Sequence, residues 1–492
     1  MGAQVCFFSY ITKYLVVLGV VSLNIRILLL LLACGSSAYS QVIKGQILDH
    51  EGQPIPYANI GILDTQIGTA SNEAGLFILF FSNEYNDATL QVSAISYYTF
   101  KVKISDIKAP TDYEIRLAPH YLVLDEIEIS ALDENAKSIV QKAVANIPFN
   151  YTEHKYQLQG FYRELLRNDD TYVALTEAAF TMDDRGYHKG QDKRLRLDEL
   201  RKSNDMREMD ELDIHYDTLI EGNDLARVFE GDYIDGRNTR YNFPFMPNLN
   251  DQILKNFEFL LDSMSYYNGQ LVYCISFYTK KDRWFTSKSY EFNRMVITSG
   301  DYAVIEIHRS RKSKEVTYSD AKKRGNASYL VEGSFYSKSS TYYRKYKNKW
   351  YPFILTRHAS VLGGDRQKSS RLAYERLRAR GGGELNYSNL EYNGRILNPD
   401  KNNYYRHLQV LITSVSDHKD GFKKIRNKEL MEKRKYVRSY SKPYNVAFWK
   451  DFNTIMRDPY LLFSALGQSV LISNNFRRCF CFRSSQKMIC LY

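Results

Sequence analysis

The sequence predicts a mainly β protein: a small N-terminal β-sandwich, then an α+β domain in which a curved antiparallel sheet packs on a helix. Three observations predict it. Residues 45–94 alternate apolar and polar side chains between glycine-bearing turns. Tyrosine is abundant, 40 residues against 26 Phe and 3 Trp, and aromatic side chains favour pleated, half-exposed surfaces. Further on, an amphipathic helix is followed by a long succession of strand-like runs.

The N-terminal run begins as a strand over Gly45 to Leu48, and Asp49-His50-Glu51-Gly52 is a turn in which Gly52 can take positive φ. Pro54 and Pro56 fix φ and withhold donors, which suits a strand entrance or an edge. Ala58, Ile60 and Ile62 alternate with Asn59 and Gly61, the period of a half-buried strand. Asn72-Glu73-Ala74-Gly75 makes a second turn, Phe77 and Leu79 resume the alternation, and Leu90, Val92 and Ala94 begin another strand.

This spacing, over about residues 42–118, resembles the carboxypeptidase-regulatory-like domain, a transthyretin-like Greek-key β-sandwich. The family's usual Ser-x-x-Gly-Tyr segment here reads Ser93-Ala94-Ile95-Ser96-Tyr97, with Ser96 where glycine is usual. The domain is common at the start of TonB-dependent outer-membrane receptors and carries no peptidase residues. The resemblance therefore implies a non-catalytic module in the periplasm or on the periplasmic face of the outer membrane. The partner it implies is an outer-membrane or periplasmic protein.

Residues 1–40 have a secretory layout: Arg26, the apolar run Ile27 to Ala33, then small residues up to Ser40, with cleavage before Gln41. The competing reading is a lipobox, Leu31-Leu32-Ala33-Cys34, anchoring the protein through Cys34. Five of the six cysteines lie in the leader or the last fourteen residues; only Cys274 lies between, so no disulfide framework is expected. The formal charge is +11, of which Lys13, Arg26, Arg477, Arg478, Arg483 and Lys487 supply six. The mildly basic remainder gives no case for nucleic acid.

The second domain spans 130–415. Ser130 to Asp133 fits a capping-box start after a strand-like bridge over Leu122 to Ile129. Ala136, Ile139, Val140, Ala143, Val144 and Ile147 follow helical spacing, and Pro148 stops the helix. Strands follow over Tyr156–Glu164 and Tyr172–Met182, then a charged stretch at 183–215 read as an exposed insertion. Tyr267-Asn268-Gly269-Gln270 is a hairpin turn, Ser299-Gly300-Asp301 and Lys347-Asn348-Lys349 are further turns, and Gly381-Gly382-Gly383 is a joint. Residues 416–470 are read as helical, with a basic helix near Phe422 to Arg438, and 471–492 as a disordered tail. The elements Tyr-Asn-Gly, Gly-Asp-Tyr-Ala-Val and Lys-Asn-Lys-Trp-Tyr-Pro look like those of lipoprotein-carrier half-barrels. That resemblance implies an acyl lipid held on an open concave face.

Local catalytic signatures are absent from the sequence. No His-x-x-Glu or His-Glu-x-x-His offers zinc ligands, and there is no Gly-x-Ser-x-Gly elbow, phosphate loop or dinucleotide turn. No cofactor or metal is expected. Tyr162, Arg163 and Glu164 place an aromatic beside an ion pair on a strand, read either as a headgroup contact or as a surface salt bridge. Tyr342, Tyr343, Tyr346, Trp350 and Tyr351 cluster around a hairpin, where they stack on sugars, line an apolar groove or pack across strands. Arg371, Arg376, Arg378 and Arg380 form a basic stretch facing lipid phosphates or solvent. The candidate ligand contacts are Tyr162, Arg163, Tyr343, Tyr346 and Trp350. The leading expectation is a non-enzymatic envelope protein binding a partner protein or acyl lipid. Its rivals are a hydrolase using dispersed carboxylates such as Glu177 and Asp301, and a glycan-binding protein.

Overall fold

Glycine and asparagine turns set the strands of the first domain. The computed structural model describes most of residues 40–457; residues 204–223, 235–250, 280–288, 314–333, 365–390 and 397–401, several shorter gaps, and everything before 40 and after 457 lie outside the described residues. The leader with Cys34, the Arg371–Arg380 stretch, the triple-glycine joint and the 471–492 tail are therefore among the readings that fall outside them.

The first domain contains β1 (Ser40–Asp49), β2 (Asn59–Ile62), β3 (Gly68–Ala70), β4 (Leu76–Ser82), β5 (Thr89–Ser93), β6 (Phe100–Lys103) and β7 (Tyr113–Leu117). They form two sheets, β4-β1-β7 and β3-β2-β5-β6. Gly52 and Gly75 take φ of +83° and +74°, and Asn72 Oδ1 accepts from the amides of Ala74 and Leu76, closing the second turn. Ile47, Ile60, Phe77, Leu79, Leu90 and Val92 fill the space between the sheets.

The second domain opens with α1 (Glu126–Ala145) and α2 (Ile147–Asn150). The helix starts at Glu126, which corrects the strand-like bridge and the capping box at Ser130. The remaining elements are β8 (Tyr156–Asn168), β9 (Thr171–Asp184), β10 (Arg194–Lys202), α3 (Asp224–Val228), α4 (Asp251–Asn256), β11 (Phe257–Tyr267), β12 (Gln270–Thr279), β13 (Ser289–Thr298), β14 (Val304–Ser313), β15 (Ser334–Tyr346), β16 (Lys349–Gly364), the short pair β17 (Glu391–Tyr392) and β18 (Arg395–Ile396), β19 (Asn402–Ser416) and α5 (Val446–Lys450). Ten of these strands form one curved sheet in the order β10-β9-β8-β19-β16-β15-β14-β13-β12-β11. Every pairing in it is antiparallel. Asn268 and Gly269 both take positive φ, as a two-residue hairpin loop requires.

One face of this sheet carries α1 and α3. Ala136, Ile139, Val140 and Ala143 of α1 pack with Phe257, Leu261 and Ile275. At the other end of the sheet Leu225 and Val228 of α3 pack with Tyr162, Phe180 and Leu408.

Two sequence expectations are corrected here. Within the supposed insertion at 183–215, Arg194–Lys202 is the edge strand β10, and its Leu195, Leu197 and Leu200 are buried. The charges between them line the other face, which masks the apolar alternation while guarding the edge. Among the described residues of 416–457 there is no basic helix; three short 3₁₀ turns and extended links lead to the five-residue α5. Tertiary donors take the backbone carbonyls that a helix would use: Arg194 bonds Ile425, Arg196 bonds Lys424, and Lys202 bonds Arg438 and Tyr440.

The sandwich docks on the sheet through the side of β2 that the alternation reads as its polar face. Gly61 and Gly68 pair across strands, and the notch they leave holds the Arg344 guanidinium of β15; a Cβ at either position would overlap it. Ser96, where the family has glycine, takes φ of +71°. Its amide donates to the Tyr266 carbonyl at 3.0 Å, and its hydroxyl receives a 2.9 Å bond from Ser265 Oγ. Beside it Tyr98, His120 and Tyr266 stack with centroid spacings of 3.8 and 3.9 Å.

Gly68→Ala should eject Arg344 and also press on the Ile60 carbonyl, 2.8 Å from the added Cβ. The expected outcome is two calorimetric transitions in place of one cooperative unfolding; a single unshifted transition would refute the notch as a coupling point. Ser96→Gly relaxes the left-handed backbone but loses the Ser265 bond, so the domains should loosen although the turn itself is eased. Hydrogen exchange at the Tyr266 end of β11 reads that loosening.

Candidate functional site

A short C-terminal strap joins the two domains. Asn453 bonds both the amide and the carbonyl of Phe80 on the edge of the sandwich. Thr69 donates to the Thr454 carbonyl, and Asn72 to that of Met456. From the sheet, Arg163 donates to the Ile455 carbonyl at 2.6 Å and to Met456 at 3.3 Å. Arg163 also pairs with Glu177 at 2.8 Å, and the same carboxylate receives Arg201 and Arg457, each at 2.6 Å. Burial alone would push the Glu177 carboxyl up; Arg163, Arg457 and Arg201 outweigh it and hold the group well below the usual carboxylate range.

The expected headgroup or surface role of Arg163 is thereby corrected. It is 3% exposed and enclosed by Glu177, Gln409 and the strap. Glu164 points to the opposite face, where Arg406 and Arg438 pair with it at 2.7 and 2.9 Å. Tyr162 is fully buried in the helix-side core. The hairpin aromatics also divide. Tyr343 donates to Asp232 Oδ1 at 2.6 Å, Trp350 reaches Asp301 Oδ2 at 3.4 Å, and Tyr346 lies against Tyr351. The sequence candidates therefore do not form one site.

The two acids of the hydrolase reading do not share a partner. Glu177 lies within β9, fixed by three guanidinium groups. Asp301 lies in the turn between β13 and β14, taken by Thr298, Lys345 and Trp350. Burial alone would push the Asp301 pKa up, but those hydrogen bonds and the Lys345 charge bring it below the ordinary carboxylate value.

A cleft of about 180 Å³ opens between the domains. The sandwich supplies Tyr57, Asn59, Ser93 and Tyr97, and the sheet supplies Tyr267, Glu306, Tyr342 and Phe353. Asn59 and Ser93 are cross-strand partners on β2 and β5. Ser93 is 1% exposed, and its Oγ and the Oδ1 of Asn59 have no protein partner. The Asn59 amide nitrogen makes a long 3.5 Å contact with the Tyr267 hydroxyl. The Tyr57 and Tyr342 rings stand 5.5 Å apart, tilted by 32°. Glu306 Oε2 meets His308 Nε2 at 3.0 Å, and the other ring nitrogen meets Ser340. Of the five candidate ligand contacts only Tyr343 borders this cleft, with Tyr342 of the same hairpin cluster beside it. Asn59 and Ser93 were legible as polar side chains on apolar strands, but nothing in the sequence pairs them.

Residues 43–129 match the CarboxypepD_reg-like domain. The sandwich half of the cleft is therefore a CarboxypepD_reg-like domain, and the matched segment runs on into the first turn of α1. No curated protein matches the chain. Among solved structures, a putative outer membrane lipoprotein-sorting protein domain from Vibrio parahaemolyticus aligns at 9% identity and a TM-score of 0.23, covering 59% of this chain and 95% of that one. A DUF1329 family protein from Desulfovibrio piger aligns at 8% identity and a TM-score of 0.21, covering 58% of this chain and 95% of its own. Among the described residues no group of three or more His, Cys, Asp or Glu is placed to hold a metal ion. No helix described is long and apolar enough to cross a membrane.

Glu177→Ala leaves the buried Arg163 guanidinium and the half-buried Arg201 and Arg457 without their anion. Losing one partner of a buried ion pair typically removes about 3–5 kcal/mol, read by chemical denaturation, with the strap becoming open to limited proteolysis. Two buried histidines, one of them under the charge of Arg163, give a pH dependence. His358 and His407 are cross-strand neighbours. Burial, then His407, pushes His358 down to about 4, and burial, then Arg163, pushes His407 down to about 4. The unfolded chain therefore takes up protons first, near the ordinary value of about 6.5. Stability should be fully present above that pH and fall as the pH drops toward 4. The His358→Gln, His407→Gln double variant should flatten that slope in denaturant midpoints measured across the interval.

Proposed function

We propose that this chain is a non-enzymatic ligand-binding protein of the cell envelope, and that its site is the cleft between the CarboxypepD_reg-like domain and the ten-stranded sheet. The observation that carries the reading is the buried, unpartnered Ser93 hydroxyl facing that cleft beside the Asn59 amide oxygen. A buried polar atom without a partner costs about 1–3 kcal/mol, and a ligand that bonds it recovers that cost on binding. The signal-like leader and the CarboxypepD_reg-like match support an envelope location.

Three other versions receive less support. The helix-side face of the sheet, where an acyl chain would lie, is filled among the described residues by two apolar clusters. Free docking by the sandwich is restricted, since the outer side of β2 is occupied by Arg344 and Tyr267. For hydrolysis, Glu177 is a fixed anion rather than a proton carrier near neutral pH.

Native mass spectrometry of the mature protein, purified from its own envelope fraction, tests the reading. The expected result is a non-covalent small-molecule adduct that a cleft-filling Ser93→Leu variant loses while keeping its fold. An acyl-lipid adduct retained by that variant would restore the carrier reading and overturn this one.

A further inference from the structure

We infer that the cleft binds a neutral, hydroxyl-rich ring, that is, one sugar residue of a glycan. This rests on the cleft being the binding site, and it adds the ligand's chemical class. The unpartnered atoms decide the polarity of the ligand. Asn59 Oδ1 is an acceptor only, and Ser93 Oγ accepts and donates. The two stand opposite each other on paired strands, so they address neighbouring donors on one ligand. Adjacent hydroxyls of a pyranose present donors in that arrangement.

Charge narrows the class further. No lysine or arginine lines the cleft among the described residues, so nothing there recognises a phosphate or carboxylate. The one ionisable acid, Glu306, is held by His308, which is held in turn by Ser340. That arrangement keeps the carboxylate oriented as a further hydroxyl acceptor. The remaining lining is tyrosine and aliphatic. Tyr57 and Tyr97 are half-buried, so their rings remain accessible from the mouth at exposed Pro56. Aromatic faces beside acceptor oxygens match a sugar, which has an apolar C–H face and a polar hydroxyl edge. A purely aliphatic ligand would leave Asn59 and Ser93 unpaired, which binding sites reject. The volume, about 180 Å³, far exceeds the roughly 15 Å³ one water needs.

The test is a saturation-transfer NMR and calorimetric titration of the full chain with glucose, galactose, mannose, N-acetylglucosamine and their β-linked disaccharides. Glycylglycine, a zwitterion of similar size, serves as the charged control. The expected result is saturable binding of at least one sugar, weakened about tenfold by Ser93→Ala and by Asn59→Ala, the loss of one hydrogen bond each. Ser93→Ala removes a buried unpaired hydroxyl, so its thermal midpoint should hold or rise while sugar affinity falls. A merely structural serine would not behave so. Saturable glycylglycine binding without any sugar binding would overturn the sugar class and leave the cleft as a site. Absence of all binding, with an empty mass spectrum of the native protein, would overturn both.

Discussion

Glu177 is the constraint on which the arrangement of the two domains depends. A carboxylate with no solvent contact must be neutralised locally, and Arg163, Arg201 and Arg457 come from three separate segments to do so. One anion cannot satisfy three cations, so each guanidinium needs a further acceptor. Arg163 finds Gln409 and the carbonyls of Ile455 and Met456, while Arg201 lies over the Trp449 ring at 4.2 Å. The excess of positive charge thus draws the strap down onto the sheet. Once there, the strap offers Asn453 and its carbonyls to the sandwich, and the sandwich is fixed in place.

The fixed pose explains why the polar side of β2 is not a solvated face. A glycine pair accepts Arg344, Asn59 reaches Tyr267, and Ser96 meets Ser265. Each contact is modest, and together they hold two rigid β surfaces that do not mesh completely. The space left is the cleft, walled by strands of the large sheet on one side and by β2, β5 and the turns beside them on the other. A site built this way needs no mobile lid to be preformed. The Ser96 departure from the usual glycine also has a reason here, since only a side chain at that position can meet Ser265.

Much of the first domain was legible because its determinants are local. Gly52, Gly75 and Asn72 set turns whatever surrounds them, and the alternation through Ile60, Phe77 and Leu79 needs only an apolar partner sheet. The hairpin at Asn268-Gly269 and the amphipathic helix through Ala136 and Ala143 were legible for the same reason. β10 was not, because its leucines alternate with charges dense enough to read as solvated. The basic segment at 422–438 misled in the opposite way, since its helical composition was overridden by Arg194, Arg196 and Lys202 taking its carbonyls.

By itself, then, the sequence determined a mainly β chain, a CarboxypepD_reg-like sandwich, and a helix leading into an antiparallel sheet, since periodicity and turn chemistry act over a few residues. Only the tertiary structure decided where Arg163 points, that Tyr343 and Trp350 serve different contacts, and that Asn59 and Ser93 share a cleft with Tyr342. Those facts depend on strand register and on charges brought together across more than two hundred residues, as Glu177 and Arg457 are. Distances of that kind leave no periodic trace in a chain, because the free energy that fixes them comes from burial and neutralisation in the folded state.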